Sequence, residues 1–262
     1  MDMFVFLKMV PDVVEELVIG KDGKSLDTES MRMKLNDPDE HALEEAVILK
    51  EKYGGKITVA ALEAPEVDEV LYTALAKGAD RAAKFVGDWT RVQPHAVAKV
   101  FSFFLSSGGQ QLTPETLILL GAQAIDDLEG EVAPYLADIL GLPYVGVVTA
   151  VRLDESKEKA LVIKEFAGGL RGEFELPMPA VLGVLSAEKP PRYVPIAKVR
   201  SVMKSAWIET LEVAPPEAAM RLSIDRLFVP QVGGRAEMLE GSPEEVAAKV
   251  AELLIERALI RK

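Results

Sequence analysis

The sequence predicts an α/β fold: an open, mostly parallel sheet with helices on both faces, followed by an extended C-terminal arm and a terminal helix. Three observations carry that reading. Short apolar runs alternate with longer stretches of helical periodicity. Gly or Pro marks nearly every junction. The connections between runs are long enough to hold a crossover helix, which returns each strand parallel to the last.

The elements follow in order. Phe4 to Leu7 is a compact apolar run and reads as the first strand. Asp39 to Tyr53 reads as a helix, with Leu43, Ala46, Val47 and Lys50 at helical spacing. Its acidic start and basic end suit the helix dipole. Ile57 to Leu62 is the next strand, Pro65 to Lys77 a helix started by proline and stopped by Gly78, and Ala82 to Val86 a weak strand. Pro94 to Leu105 is helical, with Val97, Val100, Phe101 and Phe104 on one stripe. Leu117 to Leu120 is a buried strand, Glu131 to Leu140 a helix closed by Gly141, and Tyr144 to Val151 a strand. Leu161 to Glu165, Gly172 to Leu176 and Ala180 to Leu185 read as a hairpin leading back into the sheet. Lys198 to Lys204 is a short helix. Residues 205–241 lack periodicity, apart from a candidate helix at Pro216 to Leu222, and read as an extended arm. Ser242-Pro243-Glu244-Glu245 spells a capping box, and the helix it opens runs to about Leu259. The domain division read from this is 1–204 for the α/β domain, whose candidate nucleotide loop is described below, and 205–262 for an arm and helix that wrap a partner.

Composition excludes several functions. The 262 residues hold 30 Lys plus Arg against 42 Asp plus Glu, a net charge of −12, which argues against nucleic acid as a partner. Cysteine is absent, so disulfides, thiolate catalysis and Cys-ligated clusters are out. With His41 and His95 as the sole histidines, no metal site is expected. No apolar stretch is long enough for a membrane span, and Met1 to Lys8 lacks the pattern of a signal peptide. The expectation is a cytoplasmic protein with no membrane insertion.

The candidate site is the run from Leu117 to Pro134: a buried strand, Gly121, a polar loop, then a helix. Ligands of open parallel sheets sit beyond the carboxyl ends of strands, where N–H groups from Gly130 to Ala133 can cradle a phosphate. Asp126 and Asp127 then bind ribose hydroxyls or cap the following turn. The loops Lys8–Asp12, Leu35–Asp39 and Leu62–Pro65 should reach the same edge. Asn36 or Asp37 as a helix cap is the plainer alternative there. No catalytic constellation emerges: phosphate-loop, dinucleotide-fingerprint and nucleophile-elbow motifs are all absent. Trp89 and Trp207 read as packing residues.

Gly121-Ala122-Gln123-Ala124-Ile125-Asp126-Asp127 matches a G-x-Q-A-I-D-D/G nucleotide loop. Val162 to Gly169 with Glu173 and Leu176 to Val181 matches a V-x-R/K-E run, a Gly-Gly turn and an L-P-A-V strand, with two residues added before Ala180. Pro191-Arg192-Tyr193, Leu75 to Asp80, Val10-Pro11-Asp12 and Asn36 also fit. In these motifs the chain resembles the beta subunit of electron transfer flavoproteins, from residue 3 to about 259.

The resemblance implies a Rossmann-like, adenine nucleotide alpha-hydrolase-like fold. It implies a heterodimer with a larger alpha subunit that holds a redox-active FAD. The beta subunit then holds AMP or, in bifurcating members, a second FAD that oxidises NADH. Nucleotide contacts would fall on Phe6, Asn36, Asp37, Pro38, Asp39, Glu63, Gly121, Gln123, Ala124, Ile125, Asp126, Asp127, Gly130, Glu131 and Val132. Pro191 to Ser205 would be the loop that docks on a dehydrogenase or quinone oxidoreductase, with Ile196 as its anchor. Lys164, Arg171 or Arg192 would offset phosphate or flavin charge. No side chain is implied to be catalytic. Gly130-Glu131-Val132 replaces the Asn-Gln-Thr of AMP-binding members, and Val132-Ala133-Pro134 resembles the Val-Gly-Pro of the FAD-binding group. Asp37-Pro38 stands where most members have Pro directly after Asn. The competing class is a non-redox adenine-nucleotide module, which would need no such arm. A hydrolase or transferase would need a base and nucleophile that the chain does not offer.

Overall fold

Continuous apolar runs can be buried on both faces only inside a sheet that helices cover on each side. The computed structural model has that architecture; it describes residues 1–27, 31–89, 92–107, 112–127, 130–214, 224–230, 236 and 238–260. In chain order the elements are β1 (Asp2–Leu7), β2 (Met9–Pro11), β3 (Met33–Leu35), α1 (Asp37–Tyr53), β4 (Lys56–Leu62), α2 (Val67–Lys77), β5 (Arg81–Val86), α3 (Pro94–Ser107) and β6 (Thr116–Gly121). Then come α4 (Val132–Leu140), β7 (Tyr144–Leu153), β8 (Lys159–Glu165), β9 (Arg171–Pro177), β10 (Ala180–Val184), α5 (Ile196–Met203), β11 (Glu209–Glu212) and α6 (Pro243–Glu256).

The main sheet has nine strands in the order β11-β5-β4-β1-β6-β10-β7-β8-β9. Pairing is parallel from β11 through β7 and antiparallel across β7, β8 and β9. The predicted hairpin is therefore β8–β9, and β10 returns between β6 and β7. Alternation along β1 divides the core. Met3, Val5 and Leu7 pack under α1 and α2, while Phe4 and Phe6 pack under α3 and α4. Phe6 stacks on Phe101 with centroids 3.9 Å apart, and Phe104 meets Phe6 and Phe85 edge-on.

The chain forms two compact units, Met1–Asp225 and Arg226–Lys262. In the second, α6 opens with the capping box: Ser242 Oγ accepts from Glu245 N–H at 3.3 Å, and Glu245 Oε2 accepts from Ser242 N–H at 2.8 Å. The helix ends at Glu256, short of Leu259.

Three features depart from the sequence reading. Met9–Pro11 and Met33–Leu35 form a two-stranded antiparallel ribbon, where the sequence reading has the loop Lys8–Asp12 and the start of the loop Leu35–Asp39. Glu209–Glu212, inside the stretch read as an arm, pairs in parallel with β5 and is the edge strand of the sheet. Both have too few residues for alternation to register. The helix read from Asp39 begins at Asp37, because Pro38 is tolerated in a first turn that needs no N–H partner. The candidate helix at Pro216 to Leu222 lies outside the described residues.

Phe101→Ala removes the ring that stacks on Phe6 from a closed apolar layer. The substitution should cost about 3–5 kcal/mol, read as a shift in the urea midpoint without a change in slope.

Candidate functional site

The chain runs outward from β1 through β4 to β5, then returns to place β6 on the other side of β1. The loops after β1 and β6 therefore leave in opposite directions, and the crevice between them is where open α/β sheets bind ligands. Three segments meet there: Lys8 after β1, the start of α1, and the loop that follows Gly121.

One carboxylate ties them. Asp39 Oδ1 accepts the Gly121 N–H at 2.6 Å, and Oδ2 accepts the Lys8 N–H and Asn36 Nδ2 at 3.0 Å each. Asn36 Nδ2 also donates to the Gln123 carbonyl at 3.0 Å, and the Asn36 N–H donates to the Lys8 carbonyl at 2.9 Å. Gly121 is required by this approach. A Cβ there would sit 2.7 Å from Asp39 Oδ1 and 2.9 Å from Pro38 Cβ. Burial pushes the Asp39 carboxyl up from its ordinary 3.8 to about 6, outweighing the hydrogen bonds from Gly121, Asn36 and Lys8 that favour the charged form.

The described residues that follow, 122–127 and Gly130, are held largely by backbone hydrogen bonds. The Ala122 N–H donates to Val184, Ala124 and Asp127 exchange both N–H groups, and the Gly130 N–H donates to Asp127. At Gly130, with φ of 65°, an added Cβ would collide with the Ala122 carbonyl oxygen. The amides expected to be free from Gly130 onward thus narrow to the opening of α4. Val132 and Ala133 have no carbonyl to reach inside that helix, and Pro134 has no N–H. Lys8 Nζ pairs with Asp126 Oδ1 at 2.6 Å, so one of the acidic charges of this loop is compensated. Ile125 is exposed beside it.

The structure therefore gathers Asn36, Pro38, Asp39, Gly121 and Gln123 into one contact network, with Asp126 joined to it through Lys8. Asn36 is the N-cap residue of α1, yet its amide points at Asp39 and Gln123 rather than capping the helix. Asp37 faces outward and pairs with Lys34 at 3.1 Å. The Phe6 ring is buried against Phe101, away from the rim network. Glu63 stands beyond β4, its N–H on the Phe85 carbonyl and its carboxylate 3.8 Å from Lys84. Glu131 and Val132 open α4.

The three candidate counter-charges are otherwise engaged. Lys164 lies over the Phe166 ring, Arg171 pairs with Glu165, and Arg192 is clasped by Glu44 and Glu51. His41 Nδ1 accepts the Ala187 N–H at 3.1 Å, and Trp89 Nε1 donates to the Phe85 carbonyl. Trp207 is largely exposed, contrary to a packing role within this chain. Between Pro191 and Ser205, α5 lies against α2 and leaves Tyr193, Ile196 and Met203 exposed. Sequence reasoning missed the acceptor roles of Asp39, Glu44 and Glu45. Among the described residues no acidic or histidine cluster could hold a metal ion, and no helix is long and apolar enough to cross a membrane.

A mostly parallel sheet covered by helices on both faces, with a Gly-headed loop at its reversal point, is a Rossmann-like arrangement. The electron transfer flavoprotein domain matches residues 25–216. The chain is 30% identical over 268 residues to the electron transfer flavoprotein subunit beta of Methylophilus methylotrophus, with 98% of each chain covered. It is 31% identical to the subunit of the same name in Dictyostelium discoideum, again with 98% of each covered. It is 28% identical to the caffeyl-CoA reductase-Etf complex subunit CarD of Acetobacterium woodii, covering 99% of this chain and all of that one. The chain belongs to the electron transfer flavoprotein beta-subunit family.

The Asp39 tie gives stability a defined pH signature. Between about pH 4 and 6 the folded protein holds a proton that the unfolded chain has lost, so this group's contribution falls as pH rises through that window and is level above it. Comparing urea unfolding of wild type with Asp39→Asn should show the wild type's relative stability dropping by on the order of 3 kcal/mol across the window. A pH-independent difference would show the carboxyl titrating in its ordinary range.

Proposed function

We propose that this chain is the beta partner of a heterodimeric electron transfer flavoprotein, paired with a larger alpha subunit and carrying electrons between dehydrogenases and a quinone reductase or similar acceptor. The observation that carries the reading is family membership along the whole chain, with the Gly121–Asp127 loop at the sheet's reversal point. The protein's place is then the cytoplasm.

The residues at the rim fit the phosphate of an adenine nucleotide at one place, the first turn of α4. There the N–H of Val132, which has no carbonyl to reach inside the helix, is the donor on offer, and Lys8 offsets one of the loop's acidic charges, that of Asp126. The adenylate group is common to AMP and FAD. Val132 brings no hydroxyl, and residues 132–134 resemble those of members with a second FAD, which favours FAD in this subunit. A flavin supplies the electron chemistry when bound, and the alpha subunit contributes the FAD site that the two chains share. This chain's own residues bind, orient and exclude water; none needs to act as acid or base.

Co-expression with the alpha subunit, acid release and nucleotide counting test the reading. The expected result is one adenine nucleotide beyond the alpha subunit's FAD: a second FAD for the favoured form, AMP for the other. One FAD and nothing else would remove the rim site. A colourless monomer releasing ATP would mark a non-redox module instead.

Residues 191–205 are read as the segment that docks on the redox partner, with Ile196, 65% exposed, as its apolar anchor. Ile196→Ala should raise the KM for the partner on the order of tenfold, the scale of a lost interface anchor, with flavin content unchanged. Loss of flavin would place Ile196 in the cofactor site.

A further inference from the structure

The segment 187–192 contains no regular element, and Pro190 and Pro191 exclude one. Its N–H groups are held instead by side chains of α1. The Ala187 N–H donates to His41 Nδ1 at 3.1 Å, Glu188 N–H to Glu45 Oε2 at 2.9 Å, and Arg192 N–H to Glu44 Oε2 at 2.9 Å. The last residue of the segment makes the strongest attachment. Arg192 Nε and Nη2 grip Glu44 at 2.9–3.1 Å, and Nη1 and Nη2 grip Glu51 at 2.6 and 3.1 Å. Glu44 is buried; Glu51 is 61% exposed. The guanidinium bridges two turns of the helix, and hydrogen bonding to both carboxylates raises its pKa further.

Immediately past this clasp the chain turns outward. Tyr193 is 83% exposed, and α5 follows with Ile196 and Met203 exposed. Tyr193, Ile196 and Met203 bring no burial that would orient the segment. α5 is set against α2, and Arg192 fixes the base from which the chain reaches it.

We propose that Arg192, held between Glu44 and Glu51, is a positioning residue that aims the docking segment at the redox partner. The proposal rests on the reading of residues 191–205 as that segment. A fixed base keeps the segment in its binding-competent orientation before encounter, so the ordering cost is met by the fold rather than by the partner. Only a planar fork serves two carboxylates at once. A lysine keeps the charge that buried Glu44 needs but loses the geometry.

Two variants separate aim from folding. Arg192→Lys leaves Glu44 compensated, and Glu51→Gln changes only the exposed carboxylate. Each is made in the heterodimer with its alpha subunit and assayed with a purified flavin dehydrogenase that reduces the wild-type heterodimer as electron donor. Arg192→Lys should raise the KM for the heterodimer on the order of tenfold, because the competent orientation is then only fractionally populated. Glu51→Gln should raise it less. Both should keep wild-type kcat, flavin content and melting temperature. Hydrogen exchange, which needs no partner, should quicken at 187–203 and stay unchanged in the sheet. Unchanged exchange at 187–203 in Arg192→Lys overturns the proposal, and so does faster exchange with unchanged KM. Ile196→Ala is the control for the underlying reading. If it is defective while Arg192→Lys is normal, the clasp fails alone. If neither changes KM, the docking segment itself has been misplaced.

Discussion

The rim of this molecule depends on a buried carboxylate acting where no backbone carbonyl can. At the sheet's reversal point β1 and β6 end side by side, and their following loops part. The N–H groups of Lys8 and Gly121 are thus left without a next strand to pair with. Asp39 meets both, one with each oxygen, and takes Asn36 as a third donor. Leaving those buried donors unpaired would cost about 1–3 kcal/mol each. Burying the charge is costly too, and the upward displacement of the Asp39 carboxyl shows that burial outweighs the hydrogen bonds. Gly121 follows from this arrangement, since a side chain there would occupy the space of Asp39 and Pro38.

The same device recurs along α1. Glu45 accepts Val151 N–H through one oxygen and Glu188 N–H through the other; Glu44 and Glu51 share Arg192. Burial also pushes the Glu45 carboxyl up, against its two backbone hydrogen bonds. One helix thus fastens the rim loop at its first turn and the base of the exposed segment over its later turns. Part of the excess of acidic residues is internal scaffolding rather than a solvated surface.

Much of the fold was legible because its strands are long apolar runs bounded by Gly and Pro. The strands β2, β3 and β11 were not, since three or four residues do not establish a period. Phe6 is instructive. The resemblance implies a nucleotide contact there, and the alternation of β1 puts its ring on the α3 and α4 side of the sheet. That signal was available in the sequence. The roles of Glu44 and Glu45 were not, because their partners lie 143 to 148 residues away for the exposed segment and 106 for Val151. Adjacent glutamates on a helix look solvated until a loop from the far end of the chain is laid over them.

The two parts of the proposed function make opposite physical demands, and the structure treats them oppositely. At the rim, the amides of Gly121, Ala122, Ala124, Asp127 and Gly130 are committed within the chain, and Lys8 compensates Asp126. Amides committed in this way need no ligand to hold them, which lowers the ordering cost for a nucleotide that binds beside them. The proposed docking segment lays α5 on α2 and leaves its outward apolar side chains available. Its point of departure is fixed as well. Charge-assisted hydrogen bonds to Arg192 do this without covering Tyr193 or Ile196. Preorganisation is thus built into the loop at one site and into the hinge at the other.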